Sequence, residues 1–375
     1  MMLIIFVFTF FYCSLIGYFI IGFDKVEVFN EQFLVEEIKF SIVIPFRNEA
    51  ENLPNLLQSL SELEYPKHLF EILFIDDASE DDSVEIIHDF KTQHRTLNIE
   101  NKKNIRVTNS PKKDAITTAI HSAKNEWIIT TDADCIVPKL WLKTLDAFIQ
   151  KHNPEMIIAP VTYSASNIFF EQFQLLDFLS LQSATIAGFG IGKPFLCNGA
   201  NLTYKKEEFK LLKGFEGNTN IASGDDIFLM EKFLIKHPKK IMCLKSLNAL
   251  VSTKSQDSVT NLIQQRLRWA AKTASYNNPF GKLVGLVVLS MNAIIISLAI
   301  FTILNIIKFE ILIFIFIVKF FIDLFLIRKS AHFFNQKLNI KSYIISSFLY
   351  PFFSVYIAVK SMLFGFKWKE RSFKQ

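Results

Sequence analysis

The chain opens with residues 1–23, "MMLIIFVFTFFYCSLIGYFIIGF", which carry no charge, and only then reaches Asp24 and Lys25. So long an apolar run can satisfy its backbone polar groups as a helix, and it is long enough to cross a bilayer. A cleaved leader would have a basic start and a small-residue cleavage site, and neither is present, so an uncleaved transmembrane helix is expected. Three more apolar stretches follow at 283–307, 311–327 and 343–364. Half of the 375 residues are hydrophobic, and the excess lies in these segments. Residues 24–282 between them have the charged composition of a globular domain and the size of one α/β domain.

The net charge of +5 is too mild to imply a nucleic-acid partner, and no aromatic–basic RNA motif is present. The positive charge gathers beside the apolar segments, in "RKSAHFFNQKLNIK" at 328–341 and "KWKERSFKQ" at 367–375. Both favour the cytoplasmic side, yet a single crossing by 343–364 would separate them. Pro351 lies inside that segment, so a re-entrant or interfacial hairpin is expected there. Cys13, Cys135, Cys197 and Cys243 show no CxxC spacing, which argues against a zinc site or a disulfide framework and fits a reducing, cytosolic setting.

Within the central domain "FSIVIPF" (40–46) reads as a strand, with Asn48 and Glu51 spaced as a capping box before a helix. "EILFIDD" (71–77) is a second strand, followed by a helix opened by Ser79 and Asp82. "IRVTN" (105–109) is a third, with a helix from 113. "WIITTDAD" is a fourth and "EMIIAPV" (155–161) a fifth. Alternating strands and helices imply a mostly parallel sheet that binds ligands at the carboxyl ends of its strands. Asp76 and Asp77 end the second strand and Asp132 and Asp134 the fourth, where a strand would turn both of the latter carboxylates to one face. Two like charges about 4 Å apart cost roughly 4 kcal/mol at an effective dielectric of 20. A hard divalent ion with oxygen ligands, Mg2+ or Mn2+, would relieve that repulsion, whereas DxD alone often marks only a solvated turn.

"SIVIPFRNEAENL", "FIDDASEDDS", "TTDADC", "SGDDIFL" and "QQRLRW", in this order, resemble the membrane-bound family 2 glycosyltransferases, a group that includes cellulose, hyaluronan and poly-N-acetylglucosamine synthases and ceramide glucosyltransferase. The resemblance implies a GT-A nucleotide-sugar domain. It assigns Asp76 and Asp77 to the base and ribose of a UDP-sugar, Asp134 and Asp132 to the metal, with Asp132 also near the donor, and a lysine, Lys112 or Lys113, to the nucleotide. Of the two, Lys113 is taken as the donor residue. Asp226, with Asp225 where the family usually has glutamate, matches the catalytic base; Ser223 and Asp226 would equally cap a helix. Gln265 and Arg268 then fall beside the donor diphosphate and Trp269 on the acceptor side, all on one helical face. Asn198 and Cys197 in "FLCNGANLTYKK" resemble the acceptor-side segment.

Interfacial helices are expected near 167–182 and 258–275. Lys319 and Asp323, four apart in an apolar segment, either neutralise one another or line a polar path. The sequence therefore points to an inverting, metal-dependent transferase in the cytoplasmic membrane. Its catalytic domain faces the cytosol and moves a sugar to a membrane-lipid or glycan acceptor. A processive polysaccharide synthase is the alternative within the class; outside it stand a catalytically dead carbohydrate-binding or partner subunit and a transporter.

Overall fold

A computed structural model describes residues 2–30, 34–221, 223–272, 276–368 and 371–373. Helix α1 (Met2–Lys25) comes first. It is followed by β1 (Phe40–Phe46), α2 (Leu53–Ser61), β2 (Phe70–Asp76), α3 (Ser83–Gln93), β3 (Ile99–Lys103), α4 (Pro111–Ser122) and β4 (Trp127–Thr130). Next come β5 (Cys135–Ile136), α5 (Trp141–His152), β6 (Met156–Ile158), β7 (Val161–Ser164) and the long α6 (Phe169–Gly190). Then β8 (Leu202–Lys205), α7 (Lys206–Leu211), α8 (Ile227–Lys236), β9 (Ile241–Cys243) and β10 (Val251–Lys254) follow. The remaining helices are α9 (Val259–Ala271), α10 (Pro279–Ile303), α11 (Phe309–Phe333) and α12 (Ile340–Leu363), with a final hairpin of β11 (Phe366–Trp368) and β12 (Arg371–Phe373). The chain divides into two compact units: Glu27–Ser164 with Cys197–Lys254, and Met1–Val26 with Ala165–Leu196 and Ser255–Gln375.

The first unit is built on a seven-stranded sheet of order β3-β2-β1-β4-β8-β6-β9. β1 runs parallel to β2 and to β4, and β2 parallel to β3, while β8 is antiparallel to both β4 and β6. The sheet is therefore mixed. β2 is buried along its whole length and β1 at every position but Pro45, which is why both read as mainly apolar runs; of their buried polar residues, the Ser41 hydroxyl donates to Glu71 at 2.6 Å. A second sheet, β5-β10-β7, flanks it.

Several expected elements differ in the structure. The third strand is "IENKK", not 105–109, because it is an edge strand with alternating burial that needs no apolar run. Residues 105–109 form a loop in which the backbone N–H groups of Val107 and Thr108 donate to Asp114, at 3.1 and 2.9 Å. No capping box forms at Asn48. That residue adopts φ 52°, and α2 starts only at Leu53, with Pro54 in its first turn. Ser79 likewise does not open α3, whose N-cap is Asp82. The run 155–161 is split into β6 and β7, and β4 stops at Thr130, before both aspartates of the DxD.

In the second unit the stretches around 167–182 and 258–275 are helices α6 and α9; residues 273–275 lie outside those described. α1 and α6 approach so closely that a Cβ at Gly190 would lie 1.8 Å from the Gly22 carbonyl oxygen, a crossing open only to small residues. Among the described residues α1, α10 and α12 are long and apolar enough to cross a membrane. α12 runs unbroken through Pro351, which overturns the expected hairpin. A proline removes one helical hydrogen bond, whereas opening a hairpin in apolar surroundings would strand many backbone groups. The basic segment 328–341 and the tail therefore flank α12 at opposite ends; Lys369, Glu370, Lys374 and Gln375 of the tail lie outside the described residues.

α11 carries the Lys319–Asp323 ion pair at 2.6 Å, and the Tyr12 hydroxyl of α1 donates to the other Asp323 oxygen, also at 2.6 Å. Asp323→Ala leaves the ammonium without its counter-ion, so a loss of about 3 kcal/mol or more is expected, read as a lower thermal unfolding midpoint in detergent. Tyr12→Phe/Lys319→Met/Asp323→Leu removes both charges and the hydroxyl that bonds Asp323, and should sit near wild type. An Asp323→Ala variant as stable as wild type would show that the Asp323 carboxylate does not join α11 to α1.

Candidate functional site

The carboxyl ends of β2, β1 and β4 lie side by side, with the amino end of the antiparallel β8 next to them, since Thr130 is registered with Leu202. Strand spacing puts the loops after β2 and β4 roughly 10 Å apart, across β1. The segments 76–81, 131–135 and 197–201 therefore meet one edge of the sheet.

The loop after β2 is held in a strained form. Ala78 has φ 61°, unusual for a residue with a Cβ. Arg47, just past β1, fixes it by donating to the Asp77 and Ala78 carbonyls at 3.1 and 2.6 Å and pairing with Glu80 at 3.0 Å. Asn48 adds two bonds: its N–H donates to the Ser79 hydroxyl, and its side-chain oxygen accepts from the Glu80 N–H. Asp76 accepts from the Ser79 N–H at 2.8 Å, closing the turn. Asp77 is buried, and its Oδ1 accepts from Asn104 at 2.8 Å and Arg106 at 2.6 Å.

Asp132 and Asp134 sit on a turn closed by the Cys135 N–H donating to the Asp132 carbonyl. β5 then leads away to pair with β10. The Cys135 thiol is buried, and burial, reinforced by the Asp134 and Asp132 carboxylates, holds its pKa well above the usual thiol range. The thiol is therefore an uncharged core group. The positive charge among these carboxylates comes from the chain: the Lys112 ammonium lies 2.6 Å from Asp132 Oδ1 and 3.3 Å from Asp225 Oδ2.

Lys113 occupies a different place. Its side chain is 1% exposed, and its ammonium donates to the carbonyls of Asn218 and Ile221 at 2.7 and 2.8 Å while facing the Phe228 ring at 5.1 Å. It ties down the segment that leads into Asp225 and Asp226. Lys112, the neighbour not taken as the donor residue, is the one that faces the acids. The helix starts at Pro111, two residues before the expected 113, because Pro111 suits the first helical position after Ser110, and this places Lys112 in the first turn at the sheet edge.

Gly224 has φ 82°, a backbone form that favours glycine, and turns the chain so that Asp225 and Asp226 follow. Asp226 caps α8, its Oδ1 accepting from the Ile227 N–H at 2.8 Å. Gly199 backs onto both acids: a Cβ there would lie 3.0 Å from Asp225 Oδ2, 3.5 Å from Lys112 Nζ and 3.6 Å from Asp226 Cβ. Thr130 at the end of β4 holds this glycine through a 2.8 Å bond to its carbonyl. Asn198 caps the short turn that follows, accepting from the Ala200 N–H, and Cys197 is half-buried beside it. Arg47, Thr130 and Gly199 lie inside the quoted stretches "SIVIPFRNEAENL", "TTDADC" and "FLCNGANLTYKK", yet sequence reasoning gave them no role, because their partners are on other elements.

Among the described residues no three His, Cys, Asp or Glu side chains gather into a metal cage. The turn instead offers two carboxylate oxygen donors, Asp132 and Asp134, and Asp132 already accepts a cation. That set suits a hard divalent ion completed by substrate phosphates and water.

Gln265, Arg268 and Trp269 belong to the other unit, on α9. There the Trp269 ring lies 4.2 Å from the Arg266 guanidinium carbon, and Gln265 accepts a hydrogen bond from Arg266.

Comparison with known proteins bears on this arrangement. The chain is 31% identical over 127 residues to the poly(ribitol-phosphate) β-N-acetylglucosaminyltransferase TarS of Staphylococcus aureus, covering 32% of this chain and 20% of that protein. It is 32% identical over 132 residues to the poly-β-1,6-N-acetyl-D-glucosamine synthase of Staphylococcus epidermidis, covering 32% and 30%. With the undecaprenyl-phosphate 4-deoxy-4-formamido-L-arabinose transferase of Pseudomonas savastanoi pv. phaseolicola it shares 36% identity over 99 residues, covering 26% and 28%. The matched region thus spans 20–30% of the length of these relatives. The mannosyltransferase PcManGT of Pyrobaculum calidifontis, solved with GDP-Man and Mn2+, aligns over 96% of both chains with a TM-score of 0.56 and 15% identity, a likeness of fold. The family model for Glycosyl transferase family 2 matches residues 41–208, from β1 into α7, so this stretch of the chain is similar to a glycosyl transferase family 2 domain, and the likeness to PcManGT agrees with a GT-A fold.

Proposed function

We propose that the chain is an inverting, metal-dependent glycosyltransferase of the cytoplasmic membrane, its sheet unit in the cytosol, moving a sugar from a UDP-sugar to a membrane-lipid or glycan acceptor. One observation carries the reading: Lys112 and Asp132, inside the stretch that the family 2 model matches, meet Asp225, which lies beyond it, at the carboxyl edge of the sheet, with Asp226 beside them. That edge is where open α/β sheets bind ligands.

Asp77, braced by Asn104 and Arg106, would hold the nucleoside end of the donor with Asp76. Lys112 faces the space where a diphosphate would bring negative charge, and Arg268 is assigned to the same group. Asp226 is the base. It takes the proton of the acceptor hydroxyl as that oxygen bonds to the anomeric carbon, while the bond from that carbon to the diphosphate breaks and UDP leaves with the electron pair. The α8 N-terminus fixes its carboxylate through the Ile227 N–H. Trp269, with Asn198 and Cys197, is assigned to the acceptor side. Mg2+ or Mn2+ bound at Asp134 and Asp132 would supply charge neutralisation for the leaving diphosphate.

Asp226→Asn keeps the cap's shape and removes the base, so transfer should fall by about 10³-fold with UDP-sugar binding by calorimetry unchanged; retained turnover rules out Asp226. Excess chelator should abolish transfer, and added Mn2+ or Mg2+ should restore it; full activity in chelator excludes the metal. Gly199→Ala sets a methyl against Asp225 and Lys112, and about tenfold slower transfer with an unchanged melting midpoint is expected. Radiolabelled nucleotide sugars incubated with native membranes, followed by product sizing, test donor and acceptor together. A polymeric product would favour the processive reading, and transfer from no UDP-sugar would refute the proposal.

A further inference from the structure

Arg266 lies inside "QQRLRW" at a position to which the motif assigns no role, yet it touches two residues that the motif uses. Its Nε is 2.6 Å from Asp177 Oδ2 on α6, both side chains being almost wholly buried. Asp177 Oδ1 accepts from the Tyr350 hydroxyl of α12 at 3.0 Å. The same guanidinium stacks on the Trp269 ring, with its carbon 4.2 Å from the ring centre, and donates to Gln265 Oε1. Phe178, next to Asp177, packs on Trp269 with ring centres 6.2 Å apart.

We propose that Asp177, anchored by Tyr350, acts through Arg266 as a positioning residue for Gln265 and Trp269. A planar fork that bonds a carboxylate edge-on while stacking on an indole has little rotational freedom, so fixing Asp177 fixes the Trp269 ring and the Gln265 amide. Stability alone is a poor reason for such a pair, since apolar residues of similar volume often replace a buried ion pair without loss. The arrangement sets orientation. Residues 89 positions apart in sequence are thus coupled, and a third helix, α12, holds the carboxylate in place.

The proposal rests on the reading of Gln265 and Trp269 as donor- and acceptor-side residues, so its test has one arm that needs no substrate. The chain has four tryptophans. Trp127 and Trp141 are 1% and 0% exposed, so in a Trp368→Phe background the acrylamide-quenchable fluorescence of the full-length protein in detergent reports Trp269, which is half-buried. Two variants are compared. Arg266→Lys keeps the buried charge pair but loses the planar stack, and Asp177→Leu/Arg266→Met removes both charges so that no ion is left alone. Both should show stronger quenching of Trp269. Both should also lower kcat by at least about tenfold, with the donor KM changing less than about twofold, using the UDP-sugar turned over by native membranes. Wild-type quenching or wild-type kcat in both variants overturns the proposal and leaves the pair as a staple between helices. Trp269→Ala is the control for the underlying reading: undiminished transfer there overturns the motif's role, while the quenching comparison tests the positioning by itself.

Discussion

The Lys112 ammonium, 2.6 Å from Asp132 and 3.3 Å from Asp225, lets two carboxylates share one edge of the sheet. Two bare carboxylates about 6 Å apart would repel by about 3 kcal/mol at an effective dielectric near 20. The ammonium converts that repulsion into attraction on both sides. It is delivered by the first turn of α4, and the same turn restrains the acids from a second direction. Ser110 donates to the Ile221 carbonyl at 2.8 Å, and Lys113 donates to Asn218 and Ile221. One helix start thus holds both the DxD turn and the segment that leads into Asp225 and Asp226.

The two neighbouring lysines divide these tasks because successive helical residues point about 100° apart. Lys113 turns inward, where an ammonium is costly unless acceptors surround it, and two carbonyls and the face of Phe228 serve that purpose. Lys112 turns along the sheet edge and keeps partial contact with solvent. On the proposed reading of the site, an incoming diphosphate would meet acids that are already partly neutralised, and less of its binding energy would be lost to repulsion from Asp132 and Asp225.

How much of this was legible in the sequence depended on how local the cause was. β1, β2 and β4 follow from apolar runs, and the placing of Asp76, Asp77 and Asp132 near strand ends follows from where those runs stop. β3 was hidden because "IENKK", an edge strand, buries only Ile99 and so shows no apolar run. The DxD lies two residues beyond its strand because Thr130 is the last residue paired with β8, a limit set by an antiparallel neighbour some 70 residues away that no local pattern announces. Lys112 and Lys113 were indistinguishable by type, and only the helix start at Pro111 separates their directions. Arg266 was visible as a charge in a motif, but its partner Asp177 is on another helix. Sequence spacing shows which residues share a face of one element; it does not show which face of another element meets them.

The helical unit extends the same point to hydropathy. α11 is not among the described helices that are apolar enough to cross a membrane, and Lys319 and Asp323 stand in its middle. In the structure the two form one ion pair, and Asp323 also accepts from Tyr12 of α1. Asn292 of α10 meets Ser354 of α12 at 3.2 Å, and Asp177 of α6 joins Arg266 of α9 to Tyr350 of α12. Polar groups among apolar helices are costly unless paired, so each such pair restricts which helix faces can meet. The polar residues in the middle of α11 therefore specify its packing against α1, and a further pair fixes the face of α9 that bears Gln265 and Trp269.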